Sequence, residues 1–174
     1  MAALHAIAGQ LKLIALDVDG VMTSGAVTYA SDGNEYKSFC IKDGLGIKLL
    51  QRAGLRVAIV TGRRSHMVER RAEELGITDL IQGREDKLAA LSELTEKLGL
   101  TLGEVGYMGD DLPDLAAIQA CGHGACPADA VSLVIQNADW VGKKAGGQGA
   151  VREWAEALLE ARGEWTELQN AFRL

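Results

Sequence analysis

The chain has 174 residues, a formal net charge of −6 and the share of apolar residues that is usual for a globular protein. This length predicts a single domain, residues 1–174, whose core is large enough to need no disulfide or structural metal. The acidic balance argues against nucleic-acid binding, which needs a basic surface, and no stretch is apolar for long enough to predict a membrane span.

Short apolar runs alternate with amphipathic stretches along the chain. Residues 11–16 predict a buried strand that leads into Asp17, and because no basic segment precedes this strand, the start of the chain is not typical of a signal peptide. Residues 23–39 predict a hairpin with its turn at residues 31–34, where the sequence is SDGN.

The later part of the chain continues the alternation of strands and helices. Further helices are predicted at residues 46–53, 65–75, 86–98, 112–120 and 150–162. Further strands are predicted at residues 57–60, 80–81, 105–108 and 124–126. This order predicts an α/β fold, a Rossmann-like parallel sheet with helices on both faces.

The cysteines Cys40, Cys121 and Cys126 are widely spaced, odd in number and form no CxxC pair. This pattern favours reduced thiols over a disulfide framework or a zinc site, and it indicates a cytoplasmic protein.

Two carboxylates, Asp17 and Asp19, follow the first predicted strand in the sequence DVDGV. At a strand end both can face one pocket, where one carboxylate can attack phosphorus and the other can protonate the leaving alcohol and later activate water. Gly20 lets the backbone turn tightly after them. The alternative is a pair of aspartates that cap a turn.

Two features further along the chain suit phosphate binding. Thr61 and Gly62 follow the strand at residues 57–60, where a hydroxyl and backbone amides can hold phosphate oxygens; the alternative is a helix cap. Lys87 begins a helix, where its ammonium can neutralise a phosphoryl group or simply lie exposed.

The segment GDDLPD, residues 109–114, follows the strand at residues 105–108. Its carboxylates Asp110, Asp111 and Asp114 offer the oxygen ligands that Mg²⁺ prefers. The alternative is an acidic helix start that the helix dipole favours.

The order DVDGV, TGR, Lys87 and GDDLPD resembles the four motifs of the haloacid dehalogenase superfamily, spread over residues 17–114. The resemblance implies an HAD-like fold in which Asp17 is the nucleophile and Asp19 the general acid and base. It implies that Thr61 and Lys87 bind phosphate, and that an aspartate at position 19 marks a phosphatase or a mutase. It also implies a Mg²⁺ site with a ligand set of Asp17, the backbone carbonyl of Asp19 and Asp110, supported by Asp111 and Asp114.

Neither insertion point of this superfamily holds enough residues for a cap domain. The stretch from residue 20 to residue 57 is filled by the hairpin and a helix, and the stretch from residue 63 to residue 87 by a helix and a short strand. We therefore expect a hairpin flap without a cap, and a site that is open to water unless a large substrate or a neighbouring subunit covers it.

A closer resemblance covers nearly the whole chain. The segments FCIKDGLGI, TGRR, RAEELGI, QG, PADA and GGQGAVRE resemble the 3-deoxy-D-manno-octulosonate (KDO) 8-phosphate phosphatase family. This implies a capless homotetramer in which hairpins and C-terminal tails help to enclose the sites. The implied substrate is a small sugar-acid phosphate, hydrolysed to KDO and phosphate in lipopolysaccharide biosynthesis. The implied substrate contacts are Asp19, Cys40, Ile41, Lys42, Asp43, Gly44, Lys48, Thr61, Gly62, Arg63, Arg71 and Lys87. In this set, Cys40 stands where a polar residue such as Asn or His is expected.

Two other functions remain open at this point. A nonulosonate 9-phosphate phosphatase would act on a related sugar acid that also presents a terminal phosphate and a distant carboxylate, so the motifs do not separate the two. A non-catalytic oligomerisation module, of the kind fused to sialic-acid cytidylyltransferases, is disfavoured because Asp17, Asp19, Lys87 and Asp110 are all present.

Overall fold

The computed structural model describes residues 2–173; Met1 and Leu174, which the predicted domain 1–174 includes, lie outside the described part. Its strands are β1 (Leu13–Leu16), β2 (Thr28–Tyr29), β3 (Glu35–Tyr36), β4 (Arg56–Thr61), β5 (Asp79–Gln82), β6 (Val105–Met108), β7 (His123–Cys126) and β8 (Trp140–Val141). Six of them form a sheet in the order β5-β4-β1-β6-β7-β8. All neighbours in this sheet are parallel, as the alternation of strands and helices predicts.

Helices cover both faces of the sheet. They are α1 (Ala2–Ala8), α2 (Ile41–Arg52), α3 (His66–Leu75), α4 (Lys87–Leu98), α5 (Leu115–Ala120), α6 (Ser132–Asn137), α7 (Ala150–Ala161) and α8 (Trp165–Asn170). Side chains of α1, α2, α3 and α7 share one core with the sheet, and side chains of α4, α5 and α6 share the other. The predicted α/β fold is confirmed.

The central strand β1 shows why two cores form. Successive side chains of a strand point to opposite faces. Ile14 and Leu16 therefore belong to the core with α2 and α7, whereas Leu13 and Ala15 belong to the core with α4 and α5. All four are fully buried, which explains why the strand is apolar throughout and does not alternate with polar residues.

Several element boundaries differ from the sequence-based predictions. Helix α2 begins at Ile41 and not at residue 46, and the helix predicted at residues 112–120 is divided into a 3-10 turn at Leu112–Asp114 followed by α5. Asp111 is the N-cap of this 3-10 turn and forms a capping box with Asp114. The sequence-based assignment also missed α1, α6, β8 and α8, because these elements are short or terminal.

The predicted hairpin is present as the antiparallel pair β2 and β3, shorter than the 23–39 segment. Gly33 takes a positive φ of 86° in its turn, and the Asp32 carboxylate accepts a hydrogen bond from the Asn34 N–H at 3.0 Å. Tyr29 and Tyr36 are more than half exposed on it.

Within residues 2–173, none of the helices combines the length and the apolar character that crossing a membrane requires.

Candidate active site

The carboxyl ends of β1, β4 and β6 meet at one edge of the sheet, where α/β proteins build their sites. Asp17 directly follows β1, and its N–H donates to the Met108 carbonyl at 3.0 Å. Thr61 is the last residue of β4, and Asp110 lies two residues past β6. A cavity of about 290 Å³ opens there and is lined by Asp17, Asp19, Gly25, Thr61, Gly62, Arg63, Glu85, Lys87, Asp110, Asp111, Pro113 and Asp114.

Three carboxylates form the floor of the cavity. Asp17, Asp110 and Asp114 each offer an oxygen that lies within 4.8 Å of the others. Burial, followed by the charge of Asp114, raises the pKa of Asp17 to about 7. Burial, followed by the charges of Asp17 and Asp114, likewise raises the pKa of Asp110 to about 7. The carboxylates thus carry more negative charge than their protein surroundings neutralise.

Asp114 is fully buried and is saturated with hydrogen bonds. Its Oδ1 accepts from Lys87 Nζ at 2.7 Å and from the Tyr107 hydroxyl at 2.6 Å. Its Oδ2 accepts the backbone N–H groups of Asp110 and Asp111, both at 3.2 Å. Because its oxygens are already used, Asp114 is suited to hold Lys87 and the loop before α5 in place.

Lys87 joins two of these carboxylates from the start of α4. Its Nζ lies 3.0 Å from Asp17 Oδ1 and 2.7 Å from Asp114 Oδ1, and the residue is only 5% exposed. Burial by itself lowers the pKa of Lys87, but the charges of Asp17 and Asp114 outweigh it, so that the pKa is raised. The ammonium therefore stays charged beside Asp17, the residue that the motif resemblance predicts as the nucleophile.

The donor set fits a hard divalent cation. Asp110 Oδ1 is buried without a hydrogen-bond partner, so it is available to a ligand. Gly20 has a positive φ of 91°, and a Cβ at this position would overlap the Asp110 carboxylate, so the glycine is what lets Asp110 approach the DVDGV turn. The carboxylates of Asp17, Asp110 and Asp114 outnumber the single ammonium of Lys87, so the site has an excess of negative charge when all are ionised. Divalent cations that prefer oxygen ligands can neutralise this charge.

Asp19 lines the same cavity and contacts the hairpin. Its Oδ1 accepts a hydrogen bond from Lys37 Nζ, and its Oδ2 lies 3.9 Å from Arg63 Nε. Glu35 completes the group, because its Oε2 accepts from Arg63 Nη2 at 3.1 Å. Lys37 and Glu35 are not predicted as site residues by the sequence patterns, since charged residues on a polar hairpin are typical of exposed surface.

The three residues of the TGR segment all line the cavity. Thr61 is 2% exposed, and its Oγ1 is 3.4 Å from the N–H of Arg63. The position of its side chain at the end of β4 leaves it facing the same space as Asp17 and Lys87. Glu85 also lines this cavity and was not predicted.

The other predicted substrate contacts do not line this cavity within the described chain. They are Cys40, Ile41, Lys42, Asp43, Gly44, Lys48 and Arg71. Ile41, Lys42 and Lys48 are exposed on α2. Arg71 lines a second cavity of about 290 Å³, and its Nη2 donates to the Cys40 carbonyl at 3.3 Å.

Asp43 is buried and contacts another helix of the same chain. It is 2% exposed, and its Oδ1 accepts the N–H of Arg152 at 2.8 Å in the first turn of α7. Burial raises the pKa of Asp43, against the hydrogen bonds from the Arg152 and Gly149 N–H groups. The residue therefore ties the start of α2 to the start of α7.

Comparison with known proteins identifies relatives along nearly the whole chain. Residues 43–122 match the family model for haloacid dehalogenase-like hydrolases. The 3-deoxy-D-manno-octulosonate 8-phosphate phosphatase of Escherichia coli K12 is 44% identical over 163 residues, which cover 94% of this chain and 87% of the relative.

Solved structures agree with the sequence relatives. The 3-deoxy-D-manno-octulosonate 8-phosphate phosphatase of Moraxella catarrhalis, in complex with a magnesium ion, a phosphate ion and KDO, superposes with a TM-score of 0.97 at 44% identity and 99% coverage of both chains. The cobalt-bound deoxy-D-mannose-octulosonate 8-phosphate phosphatase of Haemophilus influenzae gives a TM-score of 0.88 at 38% identity, with 94% of each chain covered.

Proposed function

The chain belongs to the 3-deoxy-D-manno-octulosonate 8-phosphate phosphatase family, as its motifs predict, and we propose that it hydrolyses KDO 8-phosphate to KDO and phosphate. One observation carries the proposal: the cavity at the sheet edge holds Asp17 against Lys87, with Asp19 on its rim. A nucleophile, a fixed cation and a second carboxylate in one open cavity are what phosphomonoester hydrolysis requires.

In the first half-reaction, an Asp17 oxygen attacks phosphorus, and the bond from phosphorus to the sugar oxygen breaks. Asp19 donates a proton to that oxygen, so that the sugar leaves as an alcohol. Lys87, held by Asp114, lies beside Asp17 and offsets the negative charge of the transferring phosphoryl group. The product of this step is an aspartyl phosphate on Asp17.

In the second half-reaction, Asp19 takes a proton from water, and the water oxygen attacks the phosphorus of the aspartyl phosphate. Phosphate leaves and the Asp17 carboxylate is restored. Thr61 and Gly62 would hold phosphate oxygens in both steps, and their place in the cavity lining supports this role.

We further propose that the cation is Mg²⁺, held by Asp17, Asp110 and the backbone carbonyl of Asp19, with Asp111 and Asp114 in support. Bound there, Mg²⁺ would keep Asp17 ionised and neutralise phosphoryl charge. The proposal is supported by the clustered carboxylates, by the unpartnered Asp110 Oδ1 and by the magnesium ion in the relative from Moraxella catarrhalis.

We also propose that residues 1–174 act as one domain, that the protein is a homotetramer and that it is cytoplasmic. The open cavity and the exposed aromatic residues Tyr29 and Tyr36 on the hairpin support an assembly that covers the site. In such an assembly, Arg71 and the exposed lysines of α2 would reach the substrate of a neighbouring subunit. The free thiols of Cys40, Cys121 and Cys126 support the location.

A turnover screen tests the function. KDO 8-phosphate, a nonulosonate 9-phosphate and generic sugar phosphates should be compared, each with Mg²⁺ and with excess chelator. We expect the highest kcat/KM for KDO 8-phosphate and loss of turnover in chelator. A preference for the nonulosonate 9-phosphate would replace the substrate assignment, and a protein without phosphatase activity would point to an oligomerisation module. Sedimentation separately tests the tetramer.

A further inference from the structure

Lys37 follows strand β3 of the hairpin and reaches the carboxylate of Asp19. We propose that Lys37 is a positioning residue that orients Asp19 for protonation of the leaving alcohol. The inference rests on the proposed phosphatase function, in which Asp19 exchanges the proton.

The burial of Lys37 is unusual for its location. Its side chain is 1% exposed although the residue as a whole is only half-buried, and Tyr36 and Tyr29 of the same hairpin are more than half exposed. Lysines are almost never fully buried unless they are paired, because removing an ammonium from water is unfavourable. The Lys37 ammonium therefore needs partners that compensate for its removal from water.

Those contacts form a closed group of two cations and two carboxylates. Lys37 Nζ donates to Asp19 Oδ1 and lies 3.4 Å from Glu35 Oε1. Arg63 completes the group, with its Nη2 3.1 Å from Glu35 Oε2 and its Nε 3.9 Å from Asp19 Oδ2. Each oxygen of Asp19 consequently faces a different cation.

This arrangement restricts rotation of the Asp19 carboxylate. Lys37 donates a hydrogen bond to Oδ1 and its side chain is 1% exposed, whereas Arg63 is 45% exposed and its Nε lies 3.9 Å from Oδ2. Without Lys37, Asp19 and Glu35 would lose one of the two cations that they share, and Asp19 Oδ1 would lose its hydrogen-bond donor, so that the carboxylate could rotate away from the leaving group. Lys37 acts through Asp19, so its effect should depend on how much the leaving group needs a proton.

Leaving-group dependence separates this role from general structural damage. The sugar alkoxide of KDO 8-phosphate needs a proton as the bond to phosphorus breaks, whereas p-nitrophenolate leaves without one. The experiment measures the first half-reaction by rapid quench for KDO 8-phosphate and by the burst of p-nitrophenolate for p-nitrophenyl phosphate. It compares wild type, Lys37→Met, Lys37→Arg and, as a matched control, Lys97→Met, which removes an exposed lysine from α4.

For Lys37→Met, we expect the rate of the first half-reaction to fall by roughly 10- to 100-fold with KDO 8-phosphate and to stay within about threefold with p-nitrophenyl phosphate. Lys37→Arg should recover most of the loss, and Lys97→Met should behave as wild type. The burst amplitude counts the competent sites, so a misfolded fraction lowers the amplitude without being mistaken for a slower rate.

Two results would overturn the inference: an equal fall with both substrates, which indicates a purely structural role, or no fall with either. Both are distinct from failure of the proposed function, in which the wild-type protein itself would hydrolyse neither ester.

Discussion

Asp110→Asn should stabilise the metal-free protein at about pH 8 and stabilise it by a clearly smaller amount at about pH 5. In the metal-free site, burial and the charges of Asp17 and Asp114 raise the pKa of Asp110 from 3.8 to about 7. A pKa that is raised in the folded state means that the folded protein binds the proton more tightly than the unfolded chain. The resulting stabilisation is fully present below the unfolded pKa and is lost as the pH rises through about 7.

The magnitude follows from the size of this change. For a fully buried carboxyl, a rise from 3.8 to about 7 corresponds to roughly 4 kcal/mol of folding free energy. Asp110 is only half-buried, so solvent screening reduces the expected gain for the asparagine variant to about 1 to 2 kcal/mol. In a chain of this length, such a gain raises Tm by roughly 3 to 6 °C.

The assay is thermal unfolding in excess chelator at both pH values, repeated with saturating Mg²⁺ at about pH 8. A ligand at 100 times its Kd stabilises the folded state by about 2.7 kcal/mol, so Mg²⁺ should raise the Tm of the wild-type protein and have much less effect on Asp110→Asn. Glu73→Gln removes an exposed carboxylate on α3 and is the control for the change in net charge. The reasoning is refuted if Asp110→Asn lowers Tm equally at both pH values, or if Mg²⁺ stabilises the variant as much as it does the wild type.

Three further outcomes are expected. Asp17→Asn should retain the fold and abolish turnover in a steady-state assay; activity within about tenfold of wild type, a barrier change of only about 1.4 kcal/mol, would exclude Asp17 as nucleophile. Trp154→Ala should lower the free energy of unfolding by about 3 to 5 kcal/mol in a denaturant titration, because the indole is fully buried between the sheet and α7; a loss below about 1 kcal/mol would contradict this. Burial lowers the pKa of His123 below 6.5, so its contribution to stability is present above that value and is lost as the pH falls. His123→Gln should therefore flatten the decline of Tm on acidification, and an unchanged decline would show that His123 does not contribute to it.

Local sequence patterns were sufficient to predict the main strands and helices of the fold. Strand β6 lies at residues 105–108 as predicted, because its burial on both faces requires a continuous apolar run. Helix α3 ends at Gly76 as predicted, because this glycine takes the left-handed conformation, with a φ of 70°, that closes a helix. The meeting of Asp17, Thr61 and Asp110 also follows from the sequence, since parallel strands bring their carboxyl ends to one edge of the sheet.

The sequence did not predict which residues pair with the buried charged groups. The start of α2 was placed too late because its Asp43 bonds to Arg152, a residue 109 positions further along the chain. Asp114 was expected only as a supporting residue near the metal, whereas the fold makes it the acceptor that holds Lys87 and Tyr107. The roles of Asp114 and Lys87 in turnover stay predictions.

The sequence by itself determined the order of strands and helices and the residues that stand at the strand ends, because periodicity and turn residues report how each segment meets the core. The tertiary structure decided which charges face each other: Lys37 with Asp19, and Lys87 between Asp17 and Asp114. The physical reason is that a charge can be buried only where an opposite charge from another segment meets it, and that meeting exists only once the chain has folded.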